Sequence, residues 1–492
     1  MKKVSLLLSD FIGSLVNSFK DSRTRKNTEK LINKIFGEKS IQLWRIATDS
    51  KEYERFHNLI SGDMVNTLDV TLLNKHLLIN STSCTLGQYR VVVIHDGSEI
   101  RKPESEQLEH LGWVQALDGS WVKGYKTFCS VLIDNNTGSV KPLSCTPYSN
   151  NDPKFVSEKE KVAYQSGKLT DPERKKEIEQ LLEQQDNYNS KSICFAQIKA
   201  IHDQIKSENP EIVIIHVLDR GFDSQEIFDY IESLGDKYVV RFKSNRNSNE
   251  KILNEKGKEI FQKLIDKSFE NQREMVYDKV CFQDKVYQNA KGIFEWDTVV
   301  IAQRLYQVVR VRFYSSEGRK IFKDPMLLIC NYIVNDFEMA QYVYQLYLQR
   351  PRIEGCFKFL KEVLGWETFR IQDYESIKNL IALTFFIGGY FYEIQDELTK
   401  NETVQWICKL GNGKGKVTRY YFLQGLSKLL LAAEVEIFRK ENDISPEQME
   451  LAYKMFSLKE RVLIKCPILN LLDLPYNSIL VNNYQIQFSY YP

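Results

Sequence analysis

Two runs of β-branched residues, each ending in an aspartate, constrain the fold of this chain most. Residues 89–96 have the sequence YRVVVIHD and precede Gly97, and residues 212–219 have the sequence IVIIHVLD and precede Arg-Gly. Continuous apolar runs of this kind are typical of strands that are buried on both faces. An acid and a glycine after such a run predict a carboxylate at the strand end, so Asp96 and Asp219 are candidate site residues. Taken alone, either aspartate is more often a simple turn residue.

The segments around these two runs predict a mixed α/β fold. Alternating strands at 127–133 and 140–146 flank the turn sequence DNNTG at 134–138, which predicts a hairpin. A charged, Gln-rich stretch at about 157–187 favours exposed helices. The predicted order is strand with acid, strand, strand, helix, strand with acid, helix and strand, the last four at 193–205, 212–219, 225–234 and 238–242.

A third acid lies in the stretch 347–366. On a helix of about 100° per residue, Tyr347, Arg350, Glu354 and Lys361 fall on one narrow stripe beside an apolar stripe. Nearby cations keep a carboxylate ionised, which suits a metal ligand close to phosphates better than a general acid. The alternative is a solvated helix face with ion pairs between successive turns.

The spacing Tyr-x2-Arg-x3-Glu-x6-Lys of this stretch resembles, at all four positions, the signature of one large branch of the DDE transposases of bacterial insertion sequences. The segment DRGFD at 219–223 also resembles the second-aspartate motif of that branch. The resemblance covers most of residues 85–400. It implies a ribonuclease-H-like catalytic core that is interrupted by a β-rich insertion, with helical N- and C-terminal regions.

The resemblance also implies roles for individual residues. Asp96, Asp219 and Glu354 would be the catalytic residues and would hold two Mg²⁺ ions, with Mn²⁺ as a substitute, because hard cations prefer carboxylate oxygens. The implied DNA-binding residues are Tyr347, Arg350, Lys361, Arg220 and Trp296, of which Arg350 and Lys361 would clamp phosphates and Trp296 would take up a flipped base. The alternative for Trp296 is packing in the core of the insertion.

One position departs from the family pattern. Relatives usually have Trp where this chain has Pro351. Proline disfavours helical conformation in the residue before it but suits the first turn of a helix. We therefore expect the helix to kink or restart at this point.

A chain of 492 residues is too long for one core and predicts several domains. We expect a helical DNA-binding domain at 1–84, the first part of the core at 85–245 and a β-rich insertion at 246–338. The insertion would contain a helix at about 256–269 followed by four strands. The second part of the core is expected at 339–400, and a helical C-terminal domain, which dimerises in relatives, at 401–492.

The expected function is that of an insertion-sequence transposase, which binds terminal inverted repeats and catalyses metal-dependent cleavage of double-stranded DNA and strand transfer into target DNA. A homodimer on DNA and a cytoplasmic, nucleoid-associated location follow from the resemblance. The net charge of +2 requires any DNA-binding surface to be local. The most apolar run, 380–392, is too short to span a bilayer and predicts a buried helix. The alternatives are a catalytically silent DNA-binding protein derived from a transposase and a ribonuclease-H-like nuclease without strand transfer.

Overall fold

The computed structural model describes Gly13, Ser445 and residues 19–62, 83–85, 88–133, 140–253, 258–282, 285–393, 401–411 and 416–441. Of 83–85, 88–89, 208, 390, 393 and 431–441 it describes the backbone alone. The predicted hairpin turn at 134–138 lies outside the described residues. The two strands that flank it are present and pair with each other.

Among the described residues, eleven strands form one mixed sheet, and two more form a separate hairpin. The order across the large sheet is β10-β11-β12-β13-β7-β6-β2-β4-β3, with β1 beside β2 and β5 beside β4. The strands are β1 (Ser83–Thr85), β2 (Gln88–Arg101), β3 (Gly112–Gln115), β4 (Trp121–Ile133), β5 (Val140–Tyr148), β6 (Val213–Leu218), β7 (Lys237–Arg241), β8 (Asn247–Leu253), β9 (Glu259–Lys263), β10 (Asn271–Phe282), β11 (Lys285–Ile301), β12 (Arg304–Tyr314) and β13 (Met326–Cys330).

The described helices lie before, between and after the strands. They are α1 (Ser22–Glu38), α2 (Leu43–Ile46), α3 (Ser50–Ser61), α4 (Glu158–Gln165), α5 (Pro172–Glu183), α6 (Ser190–Glu208), α7 (Gln225–Ser233), α8 (Phe337–Tyr347), α9 (Pro351–Val363), α10 (Tyr374–Glu393), α11 (Glu402–Leu410) and α12 (Arg419–Glu441). The exposed helices predicted for 157–187 are α4 and α5. The buried helix predicted for 380–392 is the second half of α10, and none of the described helices is long and apolar enough to cross a membrane.

Strand β2 is an interior strand of the large sheet and is covered on both faces. It runs parallel to β6 and antiparallel to β4. Val91 and Val93 pack with apolar residues of α6, whereas Val92 and Ile94 belong to the large core that includes α8, α9 and α10. Because side chains alternate along a strand, Asp96 faces the same side as Val92 and Ile94. The first aspartate is therefore directed toward α8 and α9.

The insertion differs from the prediction in one element. The prediction of a helix at about 256–269 is wrong, because residues 259–263 form β9, which pairs antiparallel with β8. Pairing with the neighbouring strand outweighs the helical spacing of the apolar residues, which is a weak local preference. Strands β10–β13 extend the large sheet through the contact of β13 with β7, so the insertion is continuous with the core sheet.

The N-terminal helices share their core with the rest of the chain. Phe36 of α1 packs edge-to-face against Phe391 of α10, and the Asn379 amide donates to the Ile60 carbonyl over 2.6 Å. Helix α3 begins at an N-cap residue, because the Asp49 carboxylate accepts from the Glu52 amide over 2.7 Å. This contact explains Asp49 without any chemical role.

Candidate active site

The first aspartate occupies a position that differs from the prediction. Asp96 does not end its strand, because β2 continues to Arg101 and pairs with β4 along that extension. The parallel pairing of β2 with β6, however, ends at His95 opposite Leu218. Asp96 therefore lies just beyond the parallel pair, and its Oδ1 accepts from the Gly97 amide over 2.9 Å. The glycine is part of the strand and not of a turn.

The second aspartate follows its strand as predicted. Asp219 comes directly after β6 and precedes the single 3₁₀ turn of Arg220–Phe222. Since β2 and β6 are adjacent and parallel, Asp96 and Asp219 lie at the same edge of the pair. Two residues that are far apart in the sequence thus become neighbours.

The stretch 347–366 is divided between two helices. Helix α8 ends at Tyr347, and α9 begins at Pro351, which occupies its first turn. The expected restart at the proline is confirmed. Arg350 nevertheless has helical dihedral angles, φ −54° and ψ −43°, against the usual preference of a residue before proline. Glu354 lies in the first turn of α9, where the helix dipole favours a negative charge.

The Arg350 guanidinium joins all three acids. Its Nη2 donates to Asp96 Oδ2 over 2.6 Å and lies 3.6 Å from Asp219 Oδ2, and its Nη1 contacts Glu354 Oε1. The side chains of Asp96 and Asp219 are 13% and 22% exposed, whereas that of Glu354 is 57% exposed. Two aspartates at a sheet edge and a glutamate on the rim therefore surround one cation.

Tyr347 holds the second aspartate from the other side. Its hydroxyl donates to Asp219 Oδ1 over 2.8 Å, and its ring is buried. Burial and the adjacent Asp219 carboxylate raise the pKa of the Tyr347 hydroxyl, so the phenol remains protonated and acts as a donor. Tyr347 thus fixes the orientation of Asp219.

Residues 195–387 match the family model of the transposase DDE domain. This stretch of the chain is therefore similar to a transposase DDE domain. The matched stretch contains Asp219, Tyr347, Arg350 and Glu354, whereas Asp96 precedes it. No curated protein matches the chain.

The two aspartates next to Arg350 have opposite pKa shifts. Burial raises the pKa of Asp96 to about 6, although Arg350 and the Gly97 amide oppose this shift. Burial also acts to raise the pKa of Asp219, but the Arg220 amide, Arg350 and Tyr347 outweigh it and lower that pKa. The desolvation of the Asp96 carboxylate is therefore offset less by neighbouring donors and cations than that of Asp219.

Lys361, the last residue of the signature, points away from the three acids. Its Nζ donates to the Glu99 carbonyl of β2 over 2.5 Å and lies 3.3 Å from Glu367 Oε1, and its side chain is 16% exposed. Burial lowers its pKa. Lys361 therefore secures α9 to β2, and its role as a phosphate clamp stays a prediction.

The two remaining candidates for DNA contact differ in exposure. Arg220 is exposed at the carboxyl end of β6, beside Asp219. Trp296 of β11 is only 6% exposed, packs against Phe337 and has a buried indole N–H without an acceptor. The packing corresponds to the structural alternative for this residue. Uptake of a flipped base, which stays a prediction, would require the ring to leave the core.

Behind Asp96 and Asp219 lies a chain of hydrogen bonds that the sequence did not predict. His95 Nδ1 lies 2.6 Å from Ser130 Oγ, and His95 Nε2 lies 2.8 Å from His216 Nδ1. His216 Nε2 and His202 Nδ1 both contact Asp236 Oδ2, at 3.0 and 2.8 Å. A histidine inside each of the two β-branched runs was the available signal, because a buried polar group needs a partner.

The three carboxylates are suitable ligands for a divalent metal, but their present arrangement around Arg350 leaves no room for one. Among the described residues, no group of three or more His, Cys, Asp or Glu side chains is arranged to hold a metal ion. The Arg350 guanidinium lies where such an ion would be shared, since it contacts all three acids. Carboxylate oxygens from two strand positions and one helix are the ligands that Mg²⁺ prefers. The donor set suits the metal once the guanidinium has moved.

Proposed function

We propose that this chain is an insertion-sequence transposase that binds the ends of its element, cleaves DNA there and transfers the freed strand into target DNA. The observation that carries the proposal is the convergence of Asp96, Asp219 and Glu354 on one guanidinium. Acids from three separate elements gather in this way at high electrostatic cost, which is typical of functional sites. The matched DDE domain supports the same function.

We further propose that the catalytic core is ribonuclease-H-like. In support of this, β5, β4, β2, β6 and β7 are consecutive neighbours in the sheet. Along the chain, β4 runs antiparallel to β2 and β5 antiparallel to β4, whereas β6 and β7 run parallel to β2. This is the order of strands and acids that the resemblance implies. A homodimer on DNA and a nucleoid-associated location remain part of the proposal.

In the proposed reaction, Asp96, Asp219 and Glu354 would hold two Mg²⁺ or Mn²⁺ ions. When bound, such ions activate the attacking oxygen and stabilise the leaving oxygen of a phosphodiester. Tyr347 keeps Asp219 oriented through its hydroxyl. Arg350 and the exposed Arg220 contact phosphates near the scissile bond, Arg350 through its planar fork. The freed 3′-hydroxyl would then take the place of water and attack a phosphodiester of target DNA. The new bond joins it to the target phosphate, and the bond to the 3′-oxygen of the target strand breaks and releases a 3′-hydroxyl.

The test is cleavage of DNA that carries the sequences flanking the gene. Glu354→Gln keeps the size of the side chain but removes the charge of a metal ligand. Because even residues behind metal ligands alter affinity or activity about 10- to 100-fold, we expect this variant to lose more than about 100-fold in cleavage while it still binds DNA.

The matched control is Lys358→Gln on the same helix, whose side chain is 72% exposed. It should cleave like the wild type. Cleavage by Glu354→Gln at the wild-type rate would remove Glu354 from the mechanism. DNA binding without cleavage by the wild-type protein would favour the catalytically silent alternative.

A further inference from the structure

We propose that Arg350 is a switch that couples metal binding to DNA binding. In the metal-free protein its guanidinium neutralises the carboxylates, and a bound metal displaces it toward a DNA phosphate. This inference rests on the proposed function, because it takes the three acids as metal ligands. Arg350 would thus bind the carboxylates in the metal-free protein and a DNA phosphate in the metal-bound protein.

The contacts of Arg350 require competition with a metal. Its guanidinium donates to Asp96 Oδ2 and Glu354 Oε1 and lies close to Asp219 Oδ2. A metal ion shared by these oxygens would lie about 2.1 Å from each of them. Two cations cannot occupy that space together. Metal binding therefore breaks the contacts of Arg350 with the acids.

Arg350 is also poorly satisfied where it is, in contrast to a structural arginine of the same chain. Arg310 is 2% exposed, and its Nε, Nη1 and Nη2 all donate to Glu295 or to backbone carbonyls. Arg350 Nε is buried without an acceptor. An unpaired buried donor carries a desolvation penalty that displacement would relieve. Arg350 is therefore held less firmly than an arginine with a purely structural role.

The backbone around Arg350 allows the side chain to reach a second partner. Arg350 lies in the three-residue break between α8 and α9, and its side chain is 14% exposed, at the rim beside the exposed Glu354. A guanidinium released from carboxylates at this rim is close to the position of the scissile phosphate in the proposed reaction. The planar fork of arginine binds carboxylate and phosphate with the same geometry. Metal and DNA then favour each other's binding, since linkage is reciprocal.

The first measurement is Mn²⁺ binding to the DNA-free protein, followed by the electron paramagnetic resonance signal of free Mn²⁺. Arg350→Gln removes the competitor, and we expect it to bind Mn²⁺ about 10-fold or more tightly than the wild type. Arg350→Lys keeps the charge but loses the fork, so it should fall between the two. Lys358→Gln should match the wild type. Wild-type affinity in both Arg350 variants would overturn the competition.

The second measurement is the salt dependence of DNA binding, with Ca²⁺ at a fixed concentration or with a chelator. Ca²⁺ takes the same oxygen ligands. In the wild type, Ca²⁺ should steepen the slope of log Kobs against log salt by about 0.9, the value for one additional phosphate contact. Arg350→Gln should lack this increment, whereas Lys358→Gln should keep it. The full increment in Arg350→Gln would overturn the coupling.

The Glu354→Gln variant separates failure of the switch from failure of the proposed function. If Glu354→Gln loses Mn²⁺ binding and Arg350→Gln gains none, the metal site stands and the switch is wrong. If Glu354→Gln binds Mn²⁺ like the wild type, the metal site is wrong, and the switch with it. Circular dichroism and thermal melting of each variant establish that it is folded.

Discussion

Arg350 and Tyr347 are the two residues that hold the acids of the candidate active site in place. Arg350 contacts all three acids, and Tyr347 holds Asp219 through one hydrogen bond. The sequence predicted that the four signature residues would share one stripe of a helix. Tyr347, Arg350 and Glu354 do come together with the two aspartates, but Lys361 binds the β2 backbone instead. The partners of Arg350 and Lys361 on β2 are 254 and 262 residues away in the sequence, and helical spacing carries no information about them.

Tyr347→Phe should weaken metal binding. The change removes the hydroxyl that donates to Asp219 and so allows the pKa of Asp219 to rise. Loss of a residue that orients a ligand lowers metal affinity about 10- to 100-fold, and we expect about 10-fold in a Mn²⁺ titration. Tyr342→Phe on the same helix, whose hydroxyl accepts from Arg90, is the control and should have wild-type affinity. Equal affinity of Tyr347→Phe and the wild type would exclude this role.

Lys361→Ala should lower stability. The change leaves the Glu99 carbonyl and Glu367 without their shared cation in a largely buried position. We expect a loss of about 1–3 kcal/mol in the free energy of unfolding, measured by denaturant titration. Lys358→Ala removes an exposed ion pair with Glu362 and should change this free energy by less than about 0.5 kcal/mol. Similar losses in both variants would contradict the assignment of Lys361 to the β2 contact.

At the scale of elements, the sequence predicted the central strands and the helices that cover them, because strong periodic patterns specify these. It placed Asp96 at a strand end, whereas β2 continues through Gly97 to Arg101. The extension depends on pairing with β4, which no local pattern reveals. The helix expected at 256–269 failed for the same reason, since pairing with β8 determines β9. Pairing with another strand therefore determines both the length of β2 and the conformation of β9.

The buried ion pair of the insertion should be indispensable to that element. Arg310 donates to Glu295 and to the carbonyls of Leu264, Ile265 and Lys267, so it ties the segment after β9 to β11 and β12. Arg310→Ala leaves Glu295 as a buried, weakly compensated charge and should lower the free energy of unfolding by about 3–5 kcal/mol.

Arg304→Ala, a change to a partly exposed arginine of the same strand, is the control in denaturant titrations. It should lower stability by about 1 kcal/mol or less. A neutral Arg310→Ala would contradict the structural role of the pair.

The buried imidazole of His95, in the hydrogen-bond chain that links β4, β2, β6 and α6, should make the protein sensitive to acid. Burial lowers the pKa of His95 well below its usual range, so His95 is neutral in the folded protein. The unfolded chain binds a proton below about pH 6.5, and its greater proton uptake lowers stability as the pH falls. His95 should contribute at most about 1.4 kcal/mol per pH unit to this loss.

The measurement is the free energy of unfolding as a function of pH. His95→Gln removes the titrating group and should reduce the dependence between pH 6.5 and 5. His110→Gln, at a partly exposed histidine, should leave that dependence intact. An unchanged pH profile in His95→Gln would rule out this source of acid sensitivity.

At the scale of the whole molecule, one core joins regions that the sequence divides. Residues 1–84 were expected to be a separate domain, a boundary that stays a prediction. In the described part, α1 packs on α10 and α12, and Phe36, Phe391 and Phe422 belong to the same hydrophobic core. Composition and charge identified the helices but carry no information on which surfaces they cover.

Phe36→Ala should therefore destabilise more than the N-terminal helices. Phe36 is fully buried against Phe391, and its truncation should lower the free energy of unfolding by about 3–5 kcal/mol. We expect tryptophan fluorescence and near-ultraviolet circular dichroism to shift together. Trp44→Ala, at a side chain that is 56% exposed, is the control for loss of an aromatic ring. A separate early transition in Phe36→Ala would indicate an independent N-terminal domain.

The distribution of the three acids along the chain has a consequence during translation. Asp96 and Asp219 meet when β2 and β6 pair, whereas Arg350 and Glu354 belong to a segment that is synthesised much later. Until that segment arrives, two like charges face each other at the sheet edge without their guanidinium, and parallel pairing across a long separation is already slow. We expect the centre to close only when α9 docks. A ribosome that stops before residue 350 would thus release a chain with an incomplete set of acids, which under the proposed function could not cleave DNA.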